Sequence, residues 1–146
     1  MEVTQFTYFQ QCGGIDCHPI PIEITYGLER IAMFLQNKES IWDLSWDKNT
    51  TYRDIWLDFE KDQCIYNFRE SNPENLRKLF DLYKKEAENL VSKDLTFPAL
   101  DFVLKCSHCF NLLDARGVIS VTDRAQYIEK IRNLAKEVAK SWVNKK

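Results

Sequence analysis

The stretch that decides the fold is EITYGLERIAMFL at residues 23–35. Its first residues have β-strand character, its last ones form an apolar helical run, and Gly27 stands at the junction. Glycine lets a backbone approach a ligand closely, a helix N-terminus offers free N–H groups, and Arg30 adds a planar cation. The junction therefore suits a phosphate or a nucleotide. Ordinary packing and an ion pair of Arg30 with Glu23 or Glu29 are the structural alternative.

The rest of the chain divides into a strand-containing part and a helical part. Residues 2–11 and 22–26 predict strands, and Gly13-Gly14 predicts a turn between strands in preference to a ligand-binding nest. Caps, prolines and helical periodicity then predict helices over 28–36, 41–46 and 52–68, from Pro73 after the N-cap Asn72, from Pro98, and from Ser120 or Thr122. The sequence therefore predicts an α+β fold.

Composition excludes several classes of function. The chain has 146 residues and a net charge of −2, which gives no general attraction to nucleic acid or to a membrane surface. No apolar run is long enough to span a bilayer. Five cysteines, without the spacing of a disulfide scaffold, favour a reducing cytoplasm. The basic region from Arg124 onward suits RNA or an acidic partner, or is simply solvated.

Several motifs carry a family resemblance. GLER followed by an apolar helix resembles motif 3 of class II aminoacyl-tRNA synthetases. Together with other segments in the same order, the chain resembles the α subunit of the bacterial α2β2-type glycyl-tRNA synthetase. These segments are EVTQFTYFQQ at 2–11, GG at 13–14, FNLLDAR at 110–116 and ISVT at 119–122.

The resemblance implies a fold and a division of the chain. Residues 1–68 would be the C-terminal part of a class II catalytic domain, a partial antiparallel sheet with the motif 3 helix, and motif 3 itself would span 23–35. Residues 69–146 would be a mostly α-helical bundle domain. Motifs 1 and 2 have no counterpart here, so we expect the chain to be the C-terminal half of the subunit and to be inactive or weak alone.

The resemblance also implies an activity and its partners. The subunit would use ATP and Mg²⁺ to activate glycine as glycyl-adenylate and would pass it to tRNA(Gly), as part of an α2β2 tetramer with a β subunit. Arg30 is the expected catalytic residue and ATP ligand, with Glu2, Thr25 and Gly27 also at the ATP. Glu2 would hold the Mg²⁺, as a hard oxygen ligand. Neither a membrane nor DNA is an expected partner.

The expected glycine-binding residues are polar groups on the two predicted strands: Thr4, Gln5, Glu23 and Thr25. An acid such as Glu23 can pair with the glycine ammonium, and the other groups can form hydrogen bonds. Selection for glycine must come from excluding larger side chains, and Tyr26 or Phe6 is the expected wall.

Two other functions compete with a synthetase. The chain could be a non-catalytic helical interaction module, with Trp42, Trp46, Trp56 and Trp142 as candidate anchors if they are exposed. It could also bind zinc, through Cys12, Cys17 and His18 or through the C-x-x-C pair Cys106 and Cys109. The second pair lies within a predicted apolar helix, where cysteines act as small packing residues, so zinc is disfavoured.

Overall fold

The computed structural model describes residues 2–145. Its elements form two compact units. The first contains the residues up to Gln10 together with His18–Tyr66, and the second contains Gln11–Cys17 together with the described chain from Asn67 onward. In chain order the elements are β1 (Thr4–Tyr8), β2 (Gln11–Cys12), β3 (Ile15–Asp16), β4 (Ile22–Tyr26), α1 (Leu28–Leu35), a 3-10 turn (Ile41–Asp43), α2 (Tyr52–Ile65), a π-helical turn (Tyr66–Glu70), α3 (Pro73–Val91), α4 (Thr96–Ala115) and α5 (Val121–Asn144).

The α+β fold class is confirmed, because small antiparallel sheets accompany a helical bundle. The predicted strand over 2–11 is shorter than expected, since β1 ends at Tyr8 and β2 pairs with β3 instead. The predicted division into a catalytic part, residues 1–68, and a helical bundle domain, residues 69–146, stays a prediction.

The first unit is built on a two-stranded ribbon of β1 and β4. The strands are antiparallel, and Gln5 lies opposite Thr25. Helix α1 follows β4 directly. Helix α2 begins with a capping box, in which Thr51 and Asp54 exchange side-chain to backbone hydrogen bonds, so α2 has a fixed start. These hydrogen bonds to Thr51 hold the pKa of Asp54 below its usual value.

The second unit is an antiparallel bundle of α3, α4 and α5. Its core consists of Leu76, Phe80, Ala87, Ala99, Val103, Cys106, Cys109, Phe110, Leu112, Leu113, Leu134 and Val138. The ring of Phe80 on α3 meets Tyr127 of α5 edge-on at 4.6 Å between centroids. The Cys106 thiol on α4 donates to the Phe80 carbonyl oxygen at 3.7 Å. All three helices therefore meet around Phe80.

The helix boundaries of the bundle follow the sequence signals closely. Asn72 caps α3, with Pro73 at its first position, and Ser120 caps α5 through a capping box with Asp123. Helix α4 begins at Thr96, two residues before Pro98. Gly117 has a φ of 64°, which favours glycine and ends α4.

Arg116, at the end of α4, connects two parts of the bundle unit. Its guanidinium donates to the carbonyl oxygens of Ser71 and Phe68, at 3.2 and 3.0 Å. Asp114, two residues earlier, pairs with Arg124 of α5 at 3.2 Å. These contacts at the end of α4 therefore hold neighbouring segments of the bundle unit together.

The second unit also includes the β2–β3 hairpin. Gly13 and Gly14 form its turn with φ values of 59° and 76°, as the sequence predicted. The hairpin lies against α5. In the described part of the chain, no helix combines the length and the apolar character that a membrane crossing requires.

Candidate active site

One face of the ribbon carries polar side chains. Because successive residues of a strand point to opposite faces, Gln5 shares a face with its partner Thr25, and Thr7 shares that face with its partner Glu23. The Thr25 hydroxyl donates to the Glu23 carboxylate. The structure thus brings together three of the four predicted glycine-binding residues, Gln5, Glu23 and Thr25.

Thr4 lies on the opposite face of the ribbon. It pairs in register with Tyr26, and its hydroxyl donates to the Thr25 carbonyl oxygen at 3.2 Å. Thr4 was predicted to bind glycine together with Gln5, Glu23 and Thr25, but the two-residue period of a strand puts Thr4 and Gln5 on opposite faces. A glycine molecule bound on the face of Gln5, Glu23 and Thr25 would therefore not contact the Thr4 side chain.

The predicted wall residues share the face of Thr4. Phe6 and Tyr26 lie there together with Tyr8, Ile22 and Ile24, and these five side chains are 55–60% exposed. Neither Phe6 nor Tyr26 lies on the face of the ribbon that carries Gln5 and Glu23. Exclusion of larger amino acids on the polar face therefore needs other residues.

Thr7 is a polar residue that was not among the predicted site residues. It is half-buried, and it lies opposite Glu23 on the polar face. Strand alternation from Gln5 contains the signal that identifies it, since residues two apart share a face. The polar face is therefore Gln5, Thr7, Glu23 and Thr25.

Gly27 and Arg30 form the junction between ribbon and helix. The Gly27 amide donates to the Val3 carbonyl oxygen at 2.9 Å, and Arg30 Nη1 donates to the Glu2 carbonyl oxygen at 2.8 Å. A Cβ at Gly27 would lie 3.4 Å from Arg30 Cδ. Glycine therefore leaves room for the Arg30 side chain to run along the backbone.

The acids proposed as ion-pair partners of Arg30 have other partners. Glu23 accepts a hydrogen bond from Thr25, and Glu29 accepts one from the Tyr52 hydroxyl at 3.3 Å. Partial burial and the Glu29 carboxylate raise the pKa of Tyr52. Arg30 is exposed, and among residues 2–145 its guanidinium donates to one backbone carbonyl group, so its other N–H groups can reach a ligand.

The N-terminus of α1 is the other feature of this junction. Gly27 is the N-cap residue and makes no side-chain capping hydrogen bond. The first-turn amides of a helix lack intrahelical partners and carry a partial positive charge. Together with Arg30 they make a surface that suits an anion.

The backbone carbonyl oxygen of Glu2 accepts a hydrogen bond from Arg30, and the Glu2 side chain is exposed. Within residues 2–145, no three His, Cys, Asp or Glu side chains converge to hold a metal ion. Mg²⁺ commonly uses one or two carboxylates together with phosphate oxygens and water, so a lone Glu2 fits Mg²⁺ only when phosphate shares it. The metal role of Glu2 stays a prediction.

The cysteines of the C-x-x-C pair are packing residues. Cys106 and Cys109 are both buried in the bundle core. Burial raises the pKa of the Cys106 thiol to about 11 and also raises the pKa of Cys109. A cysteine binds a metal ion as its thiolate, and a raised pKa opposes that form. The interpretation of this pair as small apolar residues is therefore confirmed.

The tryptophans proposed as anchors differ in exposure. Trp46 is 62% exposed, Trp56 and Trp142 are each 41% exposed, and Trp42 is half-buried. The rings of Trp42, Trp46 and Trp56 all contact the ring of Tyr52 in tilted arrangements, with centroid distances of 6.1–6.4 Å. Their anchoring role stays a prediction.

One comparison with known proteins concerns the whole chain. A protein-family model described as "Glycyl-tRNA synthetase alpha subunit" matches residues 1–146.

Proposed function

The chain belongs to the glycyl-tRNA synthetase α-subunit family, and from that premise we propose that its ribbon and α1 form part of the site that joins glycine to ATP. The family implies a ligase that charges tRNA, with glycine and tRNA as substrates and a β subunit as partner. The proposal adds which residues act, and how. The observation that carries it is the adjacency of the polar ribbon face and the Gly27–Arg30 junction along β4 and α1.

The polar face supplies what glycine needs. Glycine offers only an ammonium and a carboxylate, so recognition requires an acceptor for the first and donors for the second. The Glu23 carboxylate is the acceptor, and Thr25 holds it in place through a hydroxyl hydrogen bond. The Gln5 amide is the donor, directly opposite Thr25.

The junction supplies what ATP needs. The reaction forms a bond between the glycine carboxylate and the α-phosphorus and releases pyrophosphate, so the protein must mainly position the reactants and balance phosphate charge. The Arg30 guanidinium stacks on an adenine face and donates to a phosphate with the same group. Gly27 permits the close approach, and Mg²⁺ held with Glu2 would neutralise phosphate charge.

The remaining roles are further proposals. The assembled enzyme would be an α2β2 tetramer in a reducing cytoplasm, and it would transfer glycine from glycyl-adenylate to tRNA(Gly). The bundle would serve contacts with the β subunit or with tRNA, and its exposed basic residues on α5 suit the latter.

Glu23→Gln tests the assignment of the glycine ammonium. A hydrogen bond to a charged partner contributes about 1.5–3 kcal/mol, so we expect the KM for glycine to rise by roughly tenfold to a hundredfold. The KM for ATP should change little. Glycine-dependent ATP–pyrophosphate exchange by the assembled α–β enzyme measures both constants.

Glu39→Gln is the matched control, because Glu39 is an exposed acid of the same unit that lies beyond α1. It removes the same charge and should leave both constants unchanged. An unchanged glycine KM in Glu23→Gln would contradict the proposed site.

A further inference from the structure

The connection between the two strands of the ribbon folds partly with the other unit of the chain. Residues 9–21 join β1 to β4, and a short two-stranded ribbon linked by a long flexible loop is only marginally stable. The middle of this connection, Gln11–Cys17, folds as the β2–β3 hairpin and belongs to the bundle unit. The free connection is thereby reduced to a short segment on either side of the hairpin.

The hairpin approaches α5 more closely than any side chain would allow. A Cβ placed on Gly13 would lie 2.9 Å from the Ala139 Cβ, and 3.2 Å from both the Ala135 carbonyl oxygen and the Lys136 Cα. These atoms belong to the helix backbone or to a methyl group fixed on it, so they cannot turn aside. Gly13 therefore permits a backbone-to-helix contact. The hairpin is closed by Gln11, whose Nε2 donates to Asp16 Oδ1 at 2.7 Å.

We propose that Gly13 is a positioning residue for the glycine site: its contact with α5 fixes the hairpin, and the fixed hairpin holds β1 and β4 so that Gln5, Glu23 and Thr25 keep their common face. This inference rests on the proposed function of the ribbon. Gly13 itself touches no substrate. Its effect reaches the site through the chain that leads from the hairpin into each strand.

Gly14 provides a matched comparison within the same turn. Both glycines have positive φ, so an alanine at either position carries backbone strain. A Cβ at Gly14 meets nothing within 4 Å, whereas one at Gly13 meets α5. The difference between Gly13→Ala and Gly14→Ala therefore isolates the contact with α5 from the strain.

The first test measures glycine-dependent pyrophosphate exchange by the assembled α–β enzyme. A displacement of about 1 Å in substrate-positioning groups can cost on the order of a hundredfold in rate, so Gly13→Ala should raise the glycine KM or lower kcat by tenfold or more. Gly14→Ala should stay within about threefold of the parent enzyme, since a factor of three corresponds to well under 1 kcal/mol. Hydrogen exchange of peptides covering β1 and β4 should speed up in the first variant only.

Changes on α5 test the same contact from its other side. Gly13→Ala combined with Ala139→Gly removes the shortest contact and should restore part of the lost activity. Ala139→Val places extra methyl groups on α5 against the hairpin and should lower activity in the same way as Gly13→Ala. It also provides the test if Gly13→Ala itself fails to fold. Ala125→Val makes the same change at an exposed site of α5 and should have no effect.

The outcomes separate this inference from the proposed function. Equal effects of Gly13→Ala and Gly14→Ala, or normal exchange in Ala139→Val, would overturn the positioning role. If Glu23→Gln raises the glycine KM in those same preparations, only the positioning role fails. If Glu23→Gln has no effect, the proposed glycine site itself fails.

Discussion

Arg30→Ala should nearly abolish glycine-dependent ATP–pyrophosphate exchange in the assembled enzyme. Removing one donor that stabilises transition-state charge typically lowers kcat by about 10²–10³-fold. The fold should survive, because the Arg30 side chain is exposed and, within the described part of the chain, it makes one hydrogen bond, to the Glu2 carbonyl oxygen. Circular dichroism and thermal unfolding of the 146-residue chain should therefore match the parent protein.

Two controls give this loss a specific meaning. Arg30→Lys keeps the charge but lacks the planar fork, so it should recover only a small part of the activity. Arg53→Ala removes another exposed arginine of the same unit, one that pairs with Asp43 at 3.3 Å, and should leave exchange intact. Full exchange in Arg30→Ala would remove Arg30 from the ATP site.

Phe80→Ala should cause the largest loss of stability. The Phe80 side chain has no exposed surface and contacts α5 through the ring of Tyr127. Truncating a buried phenylalanine to alanine costs about 3–5 kcal/mol through lost burial and the remaining cavity, a large part of the total stability of most domains. Urea unfolding of the chain, followed by far-ultraviolet circular dichroism, reports the free energy of unfolding.

Leu82→Ala is the control on the same helix. Leu82 is 60% exposed, so its truncation should cost less than about 1 kcal/mol. A similar loss in both variants would mean that the three helices do not share a core around Phe80.

Local signals in the sequence were sufficient for the bundle and for the ends of its helices. Asn72 with Pro73, and Ser120, each act through backbone groups a few residues away, so their roles can be read from short segments. The apolar spacing also placed Cys106 and Cys109 in the core. These contacts depend on helical geometry, which the sequence pattern specifies.

Contacts that depend on distant residues could not be predicted in this way. Alternation along a strand separates Thr4 from Gln5, but it does not tell which of the two shares a face with Glu23 and Thr25 of the partner strand. The ribbon register, with Gln5 opposite Thr25, settles that face. The same limit applies to Gly13, since a glycine turn has the same local pattern whether or not a helix lies against it.

Arg116 shows this limit for a charged residue. It is the C-cap residue of α4, directly before Gly117. Its hydrogen bonds to the carbonyl groups of Phe68 and Ser71 depend on how α4 returns to the start of α3. A local sequence pattern does not specify contacts between residues that lie this far apart in the chain.

The most direct test of the proposed site is hydrogen–deuterium exchange of the assembled α–β enzyme with and without a non-hydrolysable glycyl-adenylate analogue. We expect strong protection in peptides that cover β1, β4 and the first turn of α1, which include Gln5, Thr25 and Arg30. Peptides from the buried centre of α4 should change little. Protection that is absent from residues 2–31, and lies elsewhere in the enzyme, would contradict the assignment of the glycine and ATP site to the ribbon and its junction with α1.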